Sequence, residues 1–580
     1  MIKEVLVAFK THLDIGFTDY AKNVVDKYLN NFIPSAIETG YKLKDTDTPF
    51  IWTVGSWLVS EGLKRDTDGR LEKAIKDGII SWHGLPFTSH TELMNRTLFE
   101  YGLSISKRLD ERFGTHTIGS KMTDVPGHTM GMVPCMKKYG IEFLHIGVNE
   151  ATPLPDVPPV FKWKCDDDEI IVMYEKGYGK NAEFNDFAIC FGHTHDNQGA
   201  QSVDGIKALY EELHKKYPDA EIKAATLNDV AKRMMGLENL PVIDKEIGDT
   251  WIHGAGTDPK KLGMYRELSR YIEANGINDV DLSDNLLLVT EHTWGMDLKV
   301  HFPNKRAWFL NDFEKTEGTE ERLTFEKSWE EQRDYVRGAE KALGISVDYE
   351  LEEPSVDGFE KINLSDADFE ISWQLFDVED YNRYLNKYMT LTIMNIDWAR
   401  WDYLKLGLPV YDGGIYNANI TACYEKGQKR LYKLEFEKSI ALKHGLPVIW
   451  AEEEAGQLEI KWFGKKASRL PQAFWLKFKG QKEDWNISKM GRRIKPENIL
   501  GSPLIMATDN GITNGDVEIY PLDSPLVAPF GRRLLDYDLK PEGEDMYFNL
   551  YNNIWNTNFP MWYSDDTRFR FMIKSLGEVK

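Results

Sequence analysis

Cysteine is scarce in this chain. Cys135, Cys165, Cys190 and Cys423 are the only four in 580 residues, far apart and without a C-x-x-C spacing. That excludes a disulfide framework and a cysteine metal site. Long apolar runs are missing too: no stretch approaches the roughly eighteen residues that a membrane helix needs. The N-terminus lacks a charged-then-apolar signal segment, so the expected location is cytoplasmic, with no membrane partner. Basic residues are outnumbered, 71 Lys and Arg against 93 Asp and Glu, for a net charge of −22. Such a balance argues against nucleic acid, whose phosphates need basic patches. Internal repeats and low-complexity segments are absent as well.

What is present is ordinary soluble composition, 42% apolar and 28% charged. The length predicts roughly two to four domains rather than one core. Aromatic residues are plentiful, with 17 Trp, 26 Tyr and 28 Phe. Some could stack on sugar faces, but large β-domain cores account for most of them.

From Met1 to about residue 256, short apolar runs alternate with helical spacing. Val5–Lys10, Phe50–Val54, Ile79–His83, Thr117–Met122, Ile170–Tyr174, Phe187–Phe191 and Glu221–Ala225 read as strands. Leu71–Lys76, Thr97–Phe113 and Leu227–Met235 read as helices. Repeated strand–loop–helix units mean a parallel sheet, open or closed into a barrel. Residues 257–345 change character. Asp258-Pro259 has the form of a helix cap, and helices to Asn275, over Leu282–Glu291 and over Glu326–Leu343 suggest a three-helix bundle. From 346 to 580, alternating aromatic-rich runs predict β-sandwich layers, among them Met389–Met394, Leu431–Phe436, Gln457–Phe463, Phe474–Lys479 and Arg568–Met572. The fold class is therefore α/β followed by all-β.

Chemistry collects at strand ends. The first apolar run drives into Lys10-Thr11-His12-Leu13-Asp14. In an extended segment residues two apart point the same way, so His12 and Asp14 can converge on one ion. An imidazole nitrogen and a carboxylate suit zinc or another divalent metal. Asp124 follows its strand in the same manner, within Asp124-Val125-Pro126-Gly127-His128-Thr129; a turn-forming carboxylate is the plainer reading of that residue by itself.

Together these pieces resemble one family. Lys10 to Thr18 resembles the N-terminal His-x-Asp-x-Gly-Trp motif of the family 38 glycoside hydrolases, the retaining α-mannosidases, with Phe17 in place of Trp. Asp124 to Thr129 resembles their nucleophile motif Asp-Pro-Phe-Gly-His-Ser, with Val125-Pro126 for Pro-Phe. The resemblance implies a β/α barrel of the family 38/57 type over 1–256, a three-helix bundle over 257–345 and a trimmed β-sandwich region over 346–580. It implies a zinc ion, or another divalent metal, held by His12, Asp14, Asp124 and a histidine of the bundle. His292, in Leu286-Leu287-Leu288-Val289-Thr290-Glu291-His292, matches that histidine; His253 is the rival.

Such an enzyme uses a carboxylate nucleophile and a second carboxyl as acid and base. Asp124 corresponds to the nucleophile. Asp249, in Gly248-Asp249-Thr250-Trp251-Ile252-His253, is the first choice for the acid. Asp196 is the second choice, and the first for substrate contact, because Gly192-His193-Thr194-His195-Asp196 replaces the family's Gly-Asp-Asp segment. The expected sugar contacts are His90, Glu92, His193, His195, Trp251, His253 and Trp294. The resulting expectation is a metal-dependent exo-glycosidase acting on α-mannosides. A same-fold enzyme with another sugar preference and a catalytically silent glycan-binding protein are the alternatives. Expected partners are a carbohydrate substrate and at most further copies of the chain.

Overall fold

The computed structural model describes the chain except residues 278–279, 303–305, 348–350, 365, 382, 384–396, 480–483, 502–504, 516, 530, 533, 535–544 and 576–580. The expected strand Met389–Met394 lies outside the described residues. The chain folds into two compact units. The first holds residues 1–91, 96–247 and 291–293; the second holds 92–95, 248–290 and 294–580.

Two sheets build the first unit. One runs β3 (Ile80–His83), β2 (Trp52–Gly55), β1 (Glu4–Lys10), β9 (Phe187–His193) and β8 (Ala182–Glu183), with β10 (Glu221–Ala224) also on β1. The other runs β11 (Val242–Ile243), β6 (Val160–Cys165), β7 (Asp168–Lys176), β5 (Phe143–Val148) and β4 (Gly119–Asp124). β1 pairs in parallel with β2, β9 and β10, and β5 pairs in parallel with β4 and β7. β1 is buried along Val5–Lys10, as a strand covered on both faces must be. Leu6 and Ala8 of β1, Phe143, Met173, Ile189 and Phe191 share one apolar core with helix α1 (Leu227–Met235).

The expected closed barrel is not what the strand pairing gives. β3 and β4 are edge strands of separate sheets; past the end of β3, the Gly84 amide donates to Gly119 O at 3.0 Å, but no ladder forms there. Among the described residues that one backbone hydrogen bond joins the edges, where closure would need continuous register.

The second unit carries helices Pro259–Asn275, Val280–Val289 and Glu320–Leu343. Asp258 caps the first with a side-chain bond from Lys261 N, and Gly276 ends it in the left-handed region. Beyond them stand two antiparallel sheets, of ten and six strands among the described residues. They form a sandwich. Trp462 of the larger sheet lies 5.1 Å from Phe474 and 6.4 Å from Tyr551 of the smaller, ring to ring. Much of the aromatic surplus therefore fills this core.

Candidate active site

The C-terminal ends of β1 and β4 bring the first ligands together. His12 and Asp14 follow β1 with their backbone clamped. The Tyr28 hydroxyl donates to His12 O at 2.9 Å, and the Asn197 amide side chain accepts from Asp14 N at 3.0 Å and donates to Asp14 O at 2.9 Å. Two residues on, Gly16 has φ +113°, which side-chain-bearing residues rarely adopt; this accounts for glycine at that place in the motif. Asp124 closes β4 with φ +81°, and Val125 N donates across it to Thr123 O at 3.1 Å, a γ-turn. A non-glycine residue held there costs on the order of 1–3 kcal/mol, and such strain gathers at functional sites.

His292 completes the set from outside both sheets. Sequence spacing predicts a helix through Glu291; the helix ends at Val289 instead. The Thr290 hydroxyl bonds back to Leu287 O at 2.7 Å, and Glu291 enters a β-bridge with Ser89. His292 therefore stands at a bend just past that bridge, its amide donating to Thr88 O at 3.3 Å.

One donor atom from each of His12, Asp14, Asp124 and His292 lies within 4.8 Å of the others, and all four residues are buried. His12 Nε2 is 3.0 Å from Asp14 Oδ1 and 3.9 Å from Asp124 Oδ2. His292 Nε2 is 3.1 and 3.5 Å from the same two oxygens. Ligands about 2.1 Å from a tetrahedral ion sit roughly 3.4 Å apart, so these edges fit one divalent cation. Asp14 Oδ2 is buried with no hydrogen-bond partner among the described residues, a cost that a cation would relieve. The far nitrogens are held as metal-bound imidazoles need: His292 Nδ1 by Glu291 Oε1 at 2.7 Å, His12 Nδ1 by Thr123 Oγ1 at 2.7 Å.

Charge follows from this packing. Burial pushes the Asp14 and Asp124 carboxyls up, but the two histidines outweigh it and hold both below the usual range. For His292, burial works against the imidazolium, yet Glu291, Asp124 and Asp14 raise its pKa well above the ordinary value.

Asp124 faces two ways. Its Oδ2 looks into the centre, whereas Oδ1 accepts from Asn149 Nδ2 at 2.8 Å and the Tyr178 hydroxyl at 2.7 Å. Asp196 is close enough to Asp14, His12 and Asp124 to feel their charge. Burial, then the nearby Asp14 and Asp124, push Asp196 up to about 6.

Solved structures share this architecture. An alpha-mannosidase from Enterococcus faecalis V583 superposes with a TM-score of 0.61 at 8% identity, covering 99% of this chain and 87% of that one. A protein in glycosyl hydrolase family 38 from Enterococcus faecalis gives 0.55 at 8% identity, covering 99% and 86%. In fold, the chain is like a family 38 glycosyl hydrolase. The profile of a domain of unknown function (DUF5054) matches residues 255–355, and no curated protein sequence matches the chain.

The other expected residues divide between the units. His90 is buried in the first, and His193 and His195 are exposed beside Asp196. Glu92 belongs to the second unit and is no loop residue open to sugar. Its Oε1 accepts from Asp249 N at 3.1 Å, and Oε2 accepts from Ala507 N at 3.0 Å and pairs with Lys489 at 2.6 Å. Asp249 is fully buried in that unit, its Oδ1 accepting from Trp251 N at 2.9 Å. Trp251 rests edge-on against Trp555 at 5.2 Å, and His253 lies 5.2 Å from the same ring. Trp294 is a core residue with the Lys261 ammonium over its ring at 3.8 Å.

Sequence reasoning missed Thr123, Asn149, Tyr178, Asn197 and Glu291. Three of them adjoin a recognised residue, and Tyr178 lies between Gly177 and Gly179, both at positive φ, a turn signal that could have been read.

Proposed function

We propose that the protein is a metal-dependent retaining exo-glycosidase acting on α-mannosides. The observation that carries this is the two-sided placement of Asp124. One oxygen faces the His12–Asp14–His292 cluster, the other accepts from Asn149 and Tyr178, and a second carboxyl, Asp196, is near enough to feel the charge of Asp124. Retaining enzymes hold nucleophile and acid/base about 5–5.5 Å apart, so the acid is sought among the carboxyls near Asp124. The α-mannoside preference is taken from the likeness in fold to the enterococcal alpha-mannosidase.

In this reading Asp124 attacks the anomeric carbon as the glycosidic C–O bond breaks, and Asp196 passes its proton to the leaving oxygen. Asp196, now ionised, takes a proton from the water that displaces Asp124 and restores the free sugar. Asp196 is preferred to Asp249 for this task. A carboxyl raised to about 6 can be protonated near neutrality, and it lies in the same unit as Asp124, whereas Asp249 is engaged by the Trp251 amide. A divalent ion, zinc by its donor set, would supply Lewis acidity and a grip on sugar hydroxyls. His193 and His195, exposed beside Asp196, are the proposed sugar contacts.

The deciding experiment is inactivation by a fluoro-sugar followed by mass spectrometry. A glycosyl adduct on Asp124, with hydrolysis of an aryl α-mannoside by the wild type, is expected. An adduct on another carboxylate, or none together with no hydrolysis of any aryl glycoside, would overturn the proposal.

A further inference from the structure

His12 and His292 face the same centre, yet they are braced by different chemistry. His292 Nδ1 meets a carboxylate, Glu291, itself fixed by the Thr293 amide and hydroxyl at 2.9 Å each. A carboxylate only accepts, so it leaves one arrangement: the proton on Nδ1 and Nε2 toward the centre. His12 Nδ1 meets the hydroxyl of Thr123 at 2.7 Å, and a hydroxyl can donate or accept. By itself it would hold either tautomer. The wrong one is available, since a proton on Nε2 would point at Asp14 Oδ1, 3.0 Å away.

The surroundings of Thr123 offer its own proton another acceptor. The Lys121 ammonium, two residues earlier on the same face of β4, donates to Thr123 Oγ1 at 3.2 Å and fills one of its two lone pairs. Thr88 Oγ1 lies 3.4 Å from Thr123 Oγ1 and accepts from Thr123 N at 3.3 Å. When Lys121 donates in and the hydroxyl proton goes to Thr88, the arrangement this proposal assigns, one lone pair is left for His12 Nδ1. That lone pair can only accept. All three side chains are buried, so no solvent competes for these bonds.

We infer that Thr123, braced by Lys121 and Thr88, is the positioning residue that keeps the proton on His12 Nδ1 and thereby sets the metal affinity of the centre. This rests on the metal reading of the site. No bond to Thr123 changes in the chemistry; its effect passes through His12 alone.

The test compares the full-length wild type, Thr123→Val and Thr123→Ser by zinc competition against a chromophoric chelator, with folding checked by circular dichroism. Valine keeps the shape and removes the hydroxyl; serine keeps the hydroxyl. Thr123→Val is expected to bind zinc ~10- to 100-fold more weakly, and Thr123→Ser within about threefold of wild type. Tight binding by Thr123→Val would overturn the inference and leave the metal reading intact. Equal weakening in both variants would overturn it as well, since packing rather than the hydroxyl would then be responsible. A wild type that takes up no zinc or other divalent ion would bring down the metal reading itself.

Discussion

Asp124 serves two purposes through its two oxygens, and single substitutions there should show both. Asp124→Asn is expected to abolish measurable hydrolysis of an aryl α-mannoside and to weaken zinc binding, read by activity assay and chelator competition. Asp196 makes a separable prediction. Its pKa is raised to about 6, and the acid must be protonated, so kcat/KM should fall as pH rises beyond that value. Bound cation would offset the part contributed by Asp14 and Asp124 but not the larger part due to burial. Asp196→Ala should lose that alkaline limb, suffer most with poor leaving groups and regain turnover with azide. If Asp249→Ala behaves that way instead, the two carboxyls exchange roles. His292 links metal to protons. Its raised pKa favours the imidazolium, which must deprotonate before Nε2 can bind an ion. Zinc uptake at neutral pH should therefore release protons, measurable by calorimetry in buffers of different ionisation enthalpy. The sign for stability runs the same way: in chelator-treated protein the His292 contribution is fully present below about pH 6.5 and is lost as pH climbs through the raised value.

Secondary elements were the most readable layer. The helix Leu227–Met235 has the bounds its spacing predicts, and Pro259–Asn275 starts and stops at its Asp-Pro and Gly signals. Their ends carry local chemistry that needs no tertiary partner. Thr226 caps Leu227–Met235 in a reciprocal box with Asp229, accepting from its amide at 3.3 Å while Asp229 Oδ2 accepts from Thr226 N at 3.0 Å. Thr226→Ala should cost about 1 kcal/mol, read as a lowered denaturation midpoint with an unchanged slope. The helix before His292 shows the opposite case. Periodicity ran on to Glu291, but a backbone bridge between Glu291 and Ser89 ended it, and a pairing across some two hundred residues of chain leaves no periodic mark.

For the molecule as a whole, the informative contacts are the distant ones. Glu92 accepts from Ala507 N, 415 residues away, and pairs with Lys489 where both side chains are fully buried. Removing one partner leaves a buried charge, so Glu92→Ala should destabilise by about 3–5 kcal/mol. Exchange of both residues for apolar ones should recover only part of that loss, as thermal unfolding would show, because the amides of Asp249 and Ala507 would still lack their acceptor. No helix among the described residues is long and apolar enough to cross a membrane.

The sequence by itself determined the local terms. Apolar period marked strands and helices, Gly and Pro marked their ends, and the His-x-Asp pair after β1 and Asp124 after β4 announced ligands, because short-range geometry suffices for each. Tertiary structure alone decided which ligands share a centre and which carboxyls stand free. Asp249 looked the better acid and Glu92 open to sugar, until the Trp251 amide engaged the first and Ala507 and Lys489, far along the chain, engaged the second. Tyr178 and Thr123 carried no motif, since a hydroxyl has meaning only through what it touches. Strand closure was likewise undetermined, for register between β3 and β4 depends on how two sheets meet and not on either strand.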